Sequence, residues 1–343
     1  MISRADARLG VMAATVAAII LVVSTILAAG GYNAPHALSA LWDGAFGSVY
    51  AVLSATLVRA TPLMFVGLAV GLAFRAGVLN IGAEGQLLAG AAAAVAVGLA
   101  VHGLPRVVAL PLVLAAGSLA GAAWAGVAGW LKLRFGVLEV ISTLMLNFVA
   151  TYLVSWLVRG PLQEPTRVYP QTVELSATVR LPQLIDGHRV HFGFVLAVGL
   201  AVAVWWILAR TAAGFRIRAI GAGPSAAQSA GGIDPSRTAI VVFLFSGALA
   251  GLGGASEATG VTFALYEGLS PGYGYSAIAV ALLARLHPLG IILSALLFGA
   301  LEAGAAAMQR DANVPSVLAV VVEAMLVLGV LAFNRVRSSG RQA

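Results

Sequence analysis

Five polar side chains recur at every fourth position of an otherwise apolar run: Glu139, Thr143, Asn147, Thr151 and Ser155. Four residues advance an α-helix by about 400°, so the row drifts only about 40° per step and makes one slowly winding stripe. Hydrocarbon offers no hydrogen-bond partners, so such a stripe must face protein or water. It reads either as the wall of a path for a polar solute or as hydrogen-bonding glue between helices. Phe148, Tyr152 and Trp156 recur at i, i+4 and i+8 beside it. That face could stack on a base, but packed or lipid-facing aromatics make the same pattern more often.

A second cluster is NIGAEGQ at 80–86, where Asn80, Glu84 and Gln86 place three hydrogen-bonding side chains at the start of an Ala-rich apolar run. Gly82 and Gly85 let backbones approach or bend there. The cluster is either a substrate-path or gating turn at a broken helix, or a solvated cap at the membrane edge. Arg59 lies midway in an apolar run, three residues before Pro62. A charge at mid-membrane costs roughly 2.5–3.5 kcal/mol on insertion scales. It should face other protein and have a partner, and Glu257, Glu302 and Glu323 are the other apparently intramembrane charges. A buried ion pair and a substrate contact are both open. Pro62 removes a backbone donor and is expected to break its helix.

Other chemistries have no residues to carry them. The only lysine, Lys132, stands between Leu131 and Leu133, so there is no phosphate loop of the Gly-Lys-Ser/Thr kind. Cysteine is absent, as are HExxH and Gly-x-Ser-x-Gly motifs. Asp186, His188 and His191 sit together in a polar segment and read as solvated loop residues rather than metal ligands. No metal, cofactor or catalytic residue is expected, and the chain is read as not an enzyme.

The elements that hold these residues follow from composition. Of 343 residues 60% are hydrophobic and 10% charged, against about 25% charged in a soluble domain. That excludes a soluble enzyme, a disordered chain and a nucleic-acid binder. The fold class is all-α, a polytopic membrane protein of about ten spans: 9–29, 48–74, 82–101, 107–131, 137–158, 192–210, 238–260, 272–285, 289–306 and 314–333. The first is read as a retained span because its apolar stretch exceeds that of a signal peptide. Placing both termini inside puts thirteen basic residues in inside segments and six in outside ones, which the charge rule favours. Small-xxx-small steps at Gly67/Gly71, Gly117/Gly121 and Gly247/Gly251 permit close helix contacts. The halves 48–158 and 238–333 carry about four spans each, a pattern compatible with pseudo-repeated halves.

Three segments, NIGAEGQLLAGA (80–91), EVISTLMLNFVATYLVSWLVRGPLQEP (139–165) and GFRIRAIGAGPSAAQSAGGI (214–233), resemble the permease subunits of bacterial ABC importers for branched-chain amino acids, sugars and nucleosides. The middle segment is most similar to the nucleoside (guanosine-type) branch. The resemblance covers about 48–333. It implies a type II importer-like fold over 1–343 as one permease domain, in the bacterial plasma (inner) membrane with cytoplasmic termini. It implies as partners cytoplasmic ATPase subunits, a second permease (a related heterodimer partner), an extracytoplasmic solute-binding protein and the bilayer. It makes 159–191 a periplasmic loop and 211–237 the loop that docks into the ATPase, with Arg216, Arg218, Gly221, Ala227 and Gly232 at the docking segment. The family pattern often has Asn near 223, where this chain has Gly223.

The resulting function is a permease forming the translocation path for nucleosides. Its path candidates are Asn80, Glu84, Gln86, Glu139, Thr143, Asn147 and Thr151. A ribose-type sugar permease is the main alternative, because both solutes are polar and uncharged. An ion-coupled secondary carrier, relaying protons through the carboxylates, is a further one. A scaffold or intramembrane enzyme would need a paired catalytic constellation that the sequence lacks.

Overall fold

The computed structural model describes residues 20–315 apart from His102, with a few isolated positions on either side. Twelve helices run in order: α1 Ile20–Ala29, α2 Ala34–Phe46, α3 Val49–Arg75, α4 Ala83–Ala100, α5 Arg106–Phe135, α6 Glu139–Arg159, α7 Phe192–Arg210, α8 Ala212–Ala222, α9 Pro224–Gly231, α10 Pro235–Thr262, α11 Tyr273–Leu283 and α12 Pro288–Asp311. Pairing between extended segments is limited, among the described residues, to isolated bridges such as Gln171 with Tyr266. Seven helices, α3–α7, α10 and α12, are long and apolar enough to cross a membrane, so the chain is a multi-pass membrane protein.

The expected first and last spans, 9–29 and 314–333, fall largely outside the described residues, as does Glu323. The expected span 272–285 is instead α11, of 11 residues. At 1.5 Å per residue it reaches about 16 Å, half of a hydrocarbon core of about 30 Å. The count of ten spans is therefore not reproduced.

Contacts divide the chain into two compact units, residues 1–59 with 299–343, and residues 60–298. The first is built on a small apolar cluster of Val23, Leu27, Ala37, Ala40 and Met308. Asn33 caps α2 by accepting from the His36 amide at 3.1 Å, the arrangement expected before an N-terminal proline turn. Gly44 admits Ala307, and Gly304 admits the Leu41 carbonyl, so this unit closes through glycine contacts as well.

The second unit is centred on α3, α4, α5 and α10. Residues Ala60–Ala73 of α3 are all buried, and α4 is enclosed apart from a few positions in its second half. A helix apolar on all sides belongs in such a centre. Pro62 does not break α3: the helix continues to Arg75, and a five-residue π-turn, Val52–Thr56, precedes it. Local π adjustment is one of the ways a membrane helix accommodates proline.

The small residues of α5 and α10 interlock. A methyl group on Gly121 would overlap the Gly247 carbonyl, one on Gly251 the Gly117 carbonyl, and one on Gly90 of α4 the Gly251 backbone. Two of the expected small-residue steps, Gly117/Gly121 and Gly247/Gly251, therefore face each other. The third, Gly67/Gly71, receives Ile291 of α12 across both glycines, with Val280 of α11 also against Gly67. Helices without a hydrophobic drive between them associate through this kind of backbone approach.

Connections inside the second unit are tight. Gly136, left-handed at φ 69°, ends α5 and lets α6 start three residues later. The long 159–191 segment is anchored at its middle. Its Thr172 and Leu175 amides donate to the Leu265 and Phe263 carbonyls at 2.9 and 2.7 Å, and Leu181 donates to the Thr259 carbonyl at 2.9 Å. Thr259 lies in the π-turn Ala258–Thr262 that ends α10. The 159–191 segment thus supplies hydrogen bonds to backbone that has left regular α geometry.

Candidate functional site

Asn80 is fully buried and sits just before α4. Its Nδ2 donates to Gln86 Oε1 at 2.9 Å and to Ser246 Oγ at 2.8 Å, while its Oδ1 accepts from Gln86 Nε2 and from the Gly82 amide, both at 3.0 Å. Ser246 of α10 passes the chain on to the Ala69 carbonyl of α3 at 2.7 Å. The two amide side chains satisfy each other face to face, and three helices are stitched at one point. A buried network that is this fully partnered rigidifies its surroundings.

Glu84, in the first turn of α4, is 6% exposed. Its Oε2 accepts from the Gly274 amide at 2.6 Å. Gly274 lies in the first turn of α11 and presses so closely on Glu84 that a Cβ there would overlap the Glu84 backbone. A carboxylate at a helix N-terminus meets unpaired amides and the positive end of the helix dipole. Ser270 assists by accepting from the Gly272 and Tyr273 amides at 3.2 and 3.1 Å. Two helix N-termini, those of α4 and α11, therefore meet at one buried carboxylate.

Asn147 of α6 closes this junction from a third side. Its Oδ1 accepts from the Gly85 amide at 2.8 Å, and its Nδ2 donates to the Ile81 carbonyl at 2.9 Å and to Tyr275 Oη at 3.3 Å. Thr143 packs on Gly82, where an added Cβ would come within 2.8 Å, and its hydroxyl donates to its own helix at the Glu139 carbonyl, 2.6 Å away. The structure thus brings together Asn80, Glu84, Gln86, Thr143 and Asn147 as one buried polar junction.

The remaining members of the expected stripe leave that junction, as the drift per step demands. Glu139 sits at the α5–α6 turn, where Lys132 lies 2.9 Å from its carboxylate. Thr151 turns to the exposed side and donates to the Asn147 carbonyl at 3.0 Å. Ser155 donates to Glu267, which also takes two hydrogen bonds from Arg159 at 2.7 Å. Arg159, followed by Ser155, holds the Glu267 carboxyl far down, at about 2. Phe148, Tyr152 and Trp156 form an exposed face of α6.

Residues 211–237 fold as α8, α9 and the start of α10. Gly221 abuts the Arg75 carbonyl, and Ala227 is buried, whereas Arg216 is exposed and Arg218 half-buried. Gly232, left-handed at φ 60°, ends α9. Gly223 starts α9 with no side-chain cap, as the missing Asn would predict.

His191 differs from its expected place in a solvated loop. It is 1% exposed, N-caps α7 by accepting the Gly193 amide at Nδ1 (3.2 Å), and has Gly193 and Gly260 against its ring. Burial, then the nearby Arg189, pushes its pKa down to about 4. Its cap role follows from the apolar elements around it, which the local sequence does not show. Among the described residues no cluster suits a metal ion.

Of the intramembrane charges, Arg59 is half-buried and donates to the Ala55 carbonyl at 3.4 Å. Glu257 is buried at the end of the α-helical part of α10, and Glu302 is half-buried on α12. Sequence reasoning missed Ser246, Ser270, Gly274 and Tyr275. Each is an ordinary residue in its own segment and gains its role only from its partner in another helix.

Comparison with known proteins gives consistent relatives. The family model described as branched-chain amino acid transport system permease component matches residues 52–331. A guanosine ABC transporter permease protein of Bacillus subtilis is 39% identical over 316 residues, 91% of this chain and 90% of its own length. A glucose ABC transporter permease protein of Haloferax volcanii is 39% identical, covering 80% of this chain and 75% of its own. A nucleoside ABC transporter permease protein of Lactococcus lactis subsp. cremoris is 32% identical, covering 88% and 85%. No solved structure matches. With two thirds and more of its length aligned to these permeases, and with membrane-spanning helices knotted around a polar junction, the chain belongs to the branched-chain amino acid transport system permease component family, the membrane subunits of ABC transporters.

Proposed function

We propose that the chain forms one side of the solute path of an ATP-driven importer and that its solute is a nucleoside. The observation carrying this reading is the meeting of the α4 and α11 N-termini at Glu84. Spanning helices that run in opposite directions place their N-termini at opposite membrane faces. α11, at about 16 Å, is too short to cross a hydrocarbon core of about 30 Å, so we read the two N-termini that meet at Glu84 as the starts of discontinuous helices. Discontinuous helices of this kind build solute paths in transporters. The guanosine and nucleoside relatives support the solute class. The glucose relative at equal identity supports the sugar reading as the alternative.

In this reading the termini are cytoplasmic and the protein sits in the bacterial plasma membrane. ATP is hydrolysed on separate cytoplasmic subunits, and the permease itself catalyses no reaction. α8 and α9 dock into the ATPase, with Arg218, Ala227 and Gly232 shaping the docking segment and Gly221 seating it on the Arg75 turn. The outer segment 159–191 receives a solute-binding protein. A second, related permease covers the exposed α6 face of Thr151, Tyr152 and Trp156, so that these side chains wall the path. Asn80, Glu84, Gln86, Thr143 and Asn147 hold the broken helices from behind. Glu139 braces the α5–α6 turn. A permease has to release its solute, so a wall of a few weak contacts suits the task.

Uptake of labelled guanosine in cells with and without this gene tests the reading, with adenosine, cytidine, ribose and leucine as competitors and a parallel strain carrying an inactive partner ATPase. Gene- and ATPase-dependent uptake, competed by nucleosides and not by ribose, is expected. Ribose or leucine uptake in its place sinks the nucleoside assignment and keeps the importer. Uptake that survives ATPase loss and collapses with a protonophore overturns the importer reading.

A further inference from the structure

A cavity of about 960 Å³ separates α7 from α10. Its walls are apolar along both helices, with Leu200, Val204 and Ile207 on one side and Val241, Phe245 and Leu249 on the other, and Leu72 of α3 lies at its floor. Ile207, Val241 and Phe245 are exposed by 38, 45 and 62%, so the groove opens on the surface that a bilayer covers. One end is different. There α8 and the start of α10 bring two arginines, Arg216 and Arg237, to the lining. Both are exposed, and neither is in an ion pair among the described residues.

The only acid in that lining, Asp234, is committed elsewhere: its Oδ1 accepts the Arg237 amide at 3.1 Å as the N-cap of α10. Arg210 and Arg218 stand nearby in the chain, so residues 210–237 hold four arginines against one aspartate. Thr211 and Thr238 complete the polar rim. Their hydroxyls already donate to the Ile207 and Asp234 carbonyls, and their lone pairs leave the guanidiniums as the free donors at the mouth.

We infer that this groove is a binding site for an anionic phospholipid, its phosphate held between Arg216 and Arg237 and an acyl chain laid along Val204, Ile207, Val241 and Phe245. Guanidinium forks match phosphate oxygens, and basic pockets between membrane helices select anionic headgroups. An apolar wall ending in paired arginines has the polarity of a lipid, chain first and headgroup at the interface. Because α8 begins the segment proposed to dock the ATPase, the bound lipid packs behind that segment and sets its height at the membrane surface. The inference rests on the permease reading only in that the groove faces a bilayer.

The test uses the full chain assembled with its partner subunits. Native mass spectrometry compares retention of phosphatidylglycerol with phosphatidylcholine for the wild type, for Arg216→Gln/Arg237→Gln and for Arg210→Gln. The wild type is expected to keep one phosphatidylglycerol in preference to phosphatidylcholine. The double variant should weaken it by about 30-fold, at roughly 1 kcal/mol per arginine, and Arg210→Gln should leave it unchanged. The chain has no cysteine, so Val241→Cys carries a single fluorophore that phosphatidylglycerol with a spin-labelled chain should quench. Equal retention of the two lipids, or full phosphatidylglycerol retention by the double variant, overturns the site. A Val241→Cys variant whose label escapes quenching and whose thiol crosslinks to a partner subunit also overturns it, because a protein then fills the groove. None of these readouts needs transport, so failure of the uptake experiment leaves them standing.

Discussion

The Glu84 carboxylate and the Gly274 amide lie 2.6 Å apart, although 190 residues separate them in the chain. The first turn of α4 thereby caps the first turn of α11. Glu84→Ala leaves the buried Gly274 amide at the start of α11 unpaired and is expected to cost about 1–2 kcal/mol. Glu84→Gln keeps an acceptor and costs less. Thermal unfolding of the assembled transporter reads the difference, and solute uptake should fall in the same order. An Ala variant that melts with the wild type would remove the capping role.

Asn80 spends its side-chain donors and acceptor on protein partners, which predicts a bracing role. Asn80→Leu strands Gln86 and the Gly82 amide, each left without a partner at about 1–3 kcal/mol, and takes one donor from Ser246, which keeps its bond to the Ala69 carbonyl. A large drop in melting temperature and a loss of folded protein are expected, with Ser246→Ala milder. If Asn80→Leu instead kept the wild-type melting curve and lost only uptake, Asn80 would belong to the path itself.

Gly251 and Gly199 make a matched pair. Gly251→Ala forces a methyl group into the Gly117 carbonyl and should cost about 1–3 kcal/mol as overpacking. Gly199→Ala, on α7 with nothing within 4 Å of an added Cβ, should be neutral or stabilising by up to about 1 kcal/mol. Yields and melting temperatures of the two purified variants decide the matter, and equal behaviour would refute the close α5–α10 crossing.

His191 predicts an acid-sensitive start to α7. Its ordinary pKa of about 6.5 falls to about 4 in the folded protein, so the unfolded chain takes up the proton first. Stability is full above pH 6.5 and is lost as pH falls from there toward 4, by up to about 3 kcal/mol. His191→Gln should flatten the melting temperature across that window. A wild-type slope retained in this variant would assign the effect to other groups.

Much of this was legible in the residues. The runs behind α4, α5 and α7 are apolar for a full membrane thickness, and the fourfold spacing from Glu139 to Ser155 gave the polar row on α6. The glycine steps of α5 and α10 did meet. What escaped is set by partners distant in the chain. The composition of 272–285 suits a spanning helix, and only the structure shows that its helix stops at 11 residues. Pro62 looked like a break because the π-turn before it has no composition of its own. His191 looked solvated because its loop is polar, while Gly193 and Gly260, which enclose its ring, are silent in sequence.

Where α4, α5 and α10 cross, the contacts run from backbone to backbone through Gly90, Gly117, Gly121, Gly247 and Gly251. Such a crossing has no rotamers. It cannot slip by re-packing side chains, because there are none there to move, and close-packed backbone has no intermediate setting. The three helices must travel as a single lever, and any motion that opens or shuts the protein has to be taken up at its joints: the Gly136 turn, the Asn80–Gly82 stretch and the π-turn that ends α10.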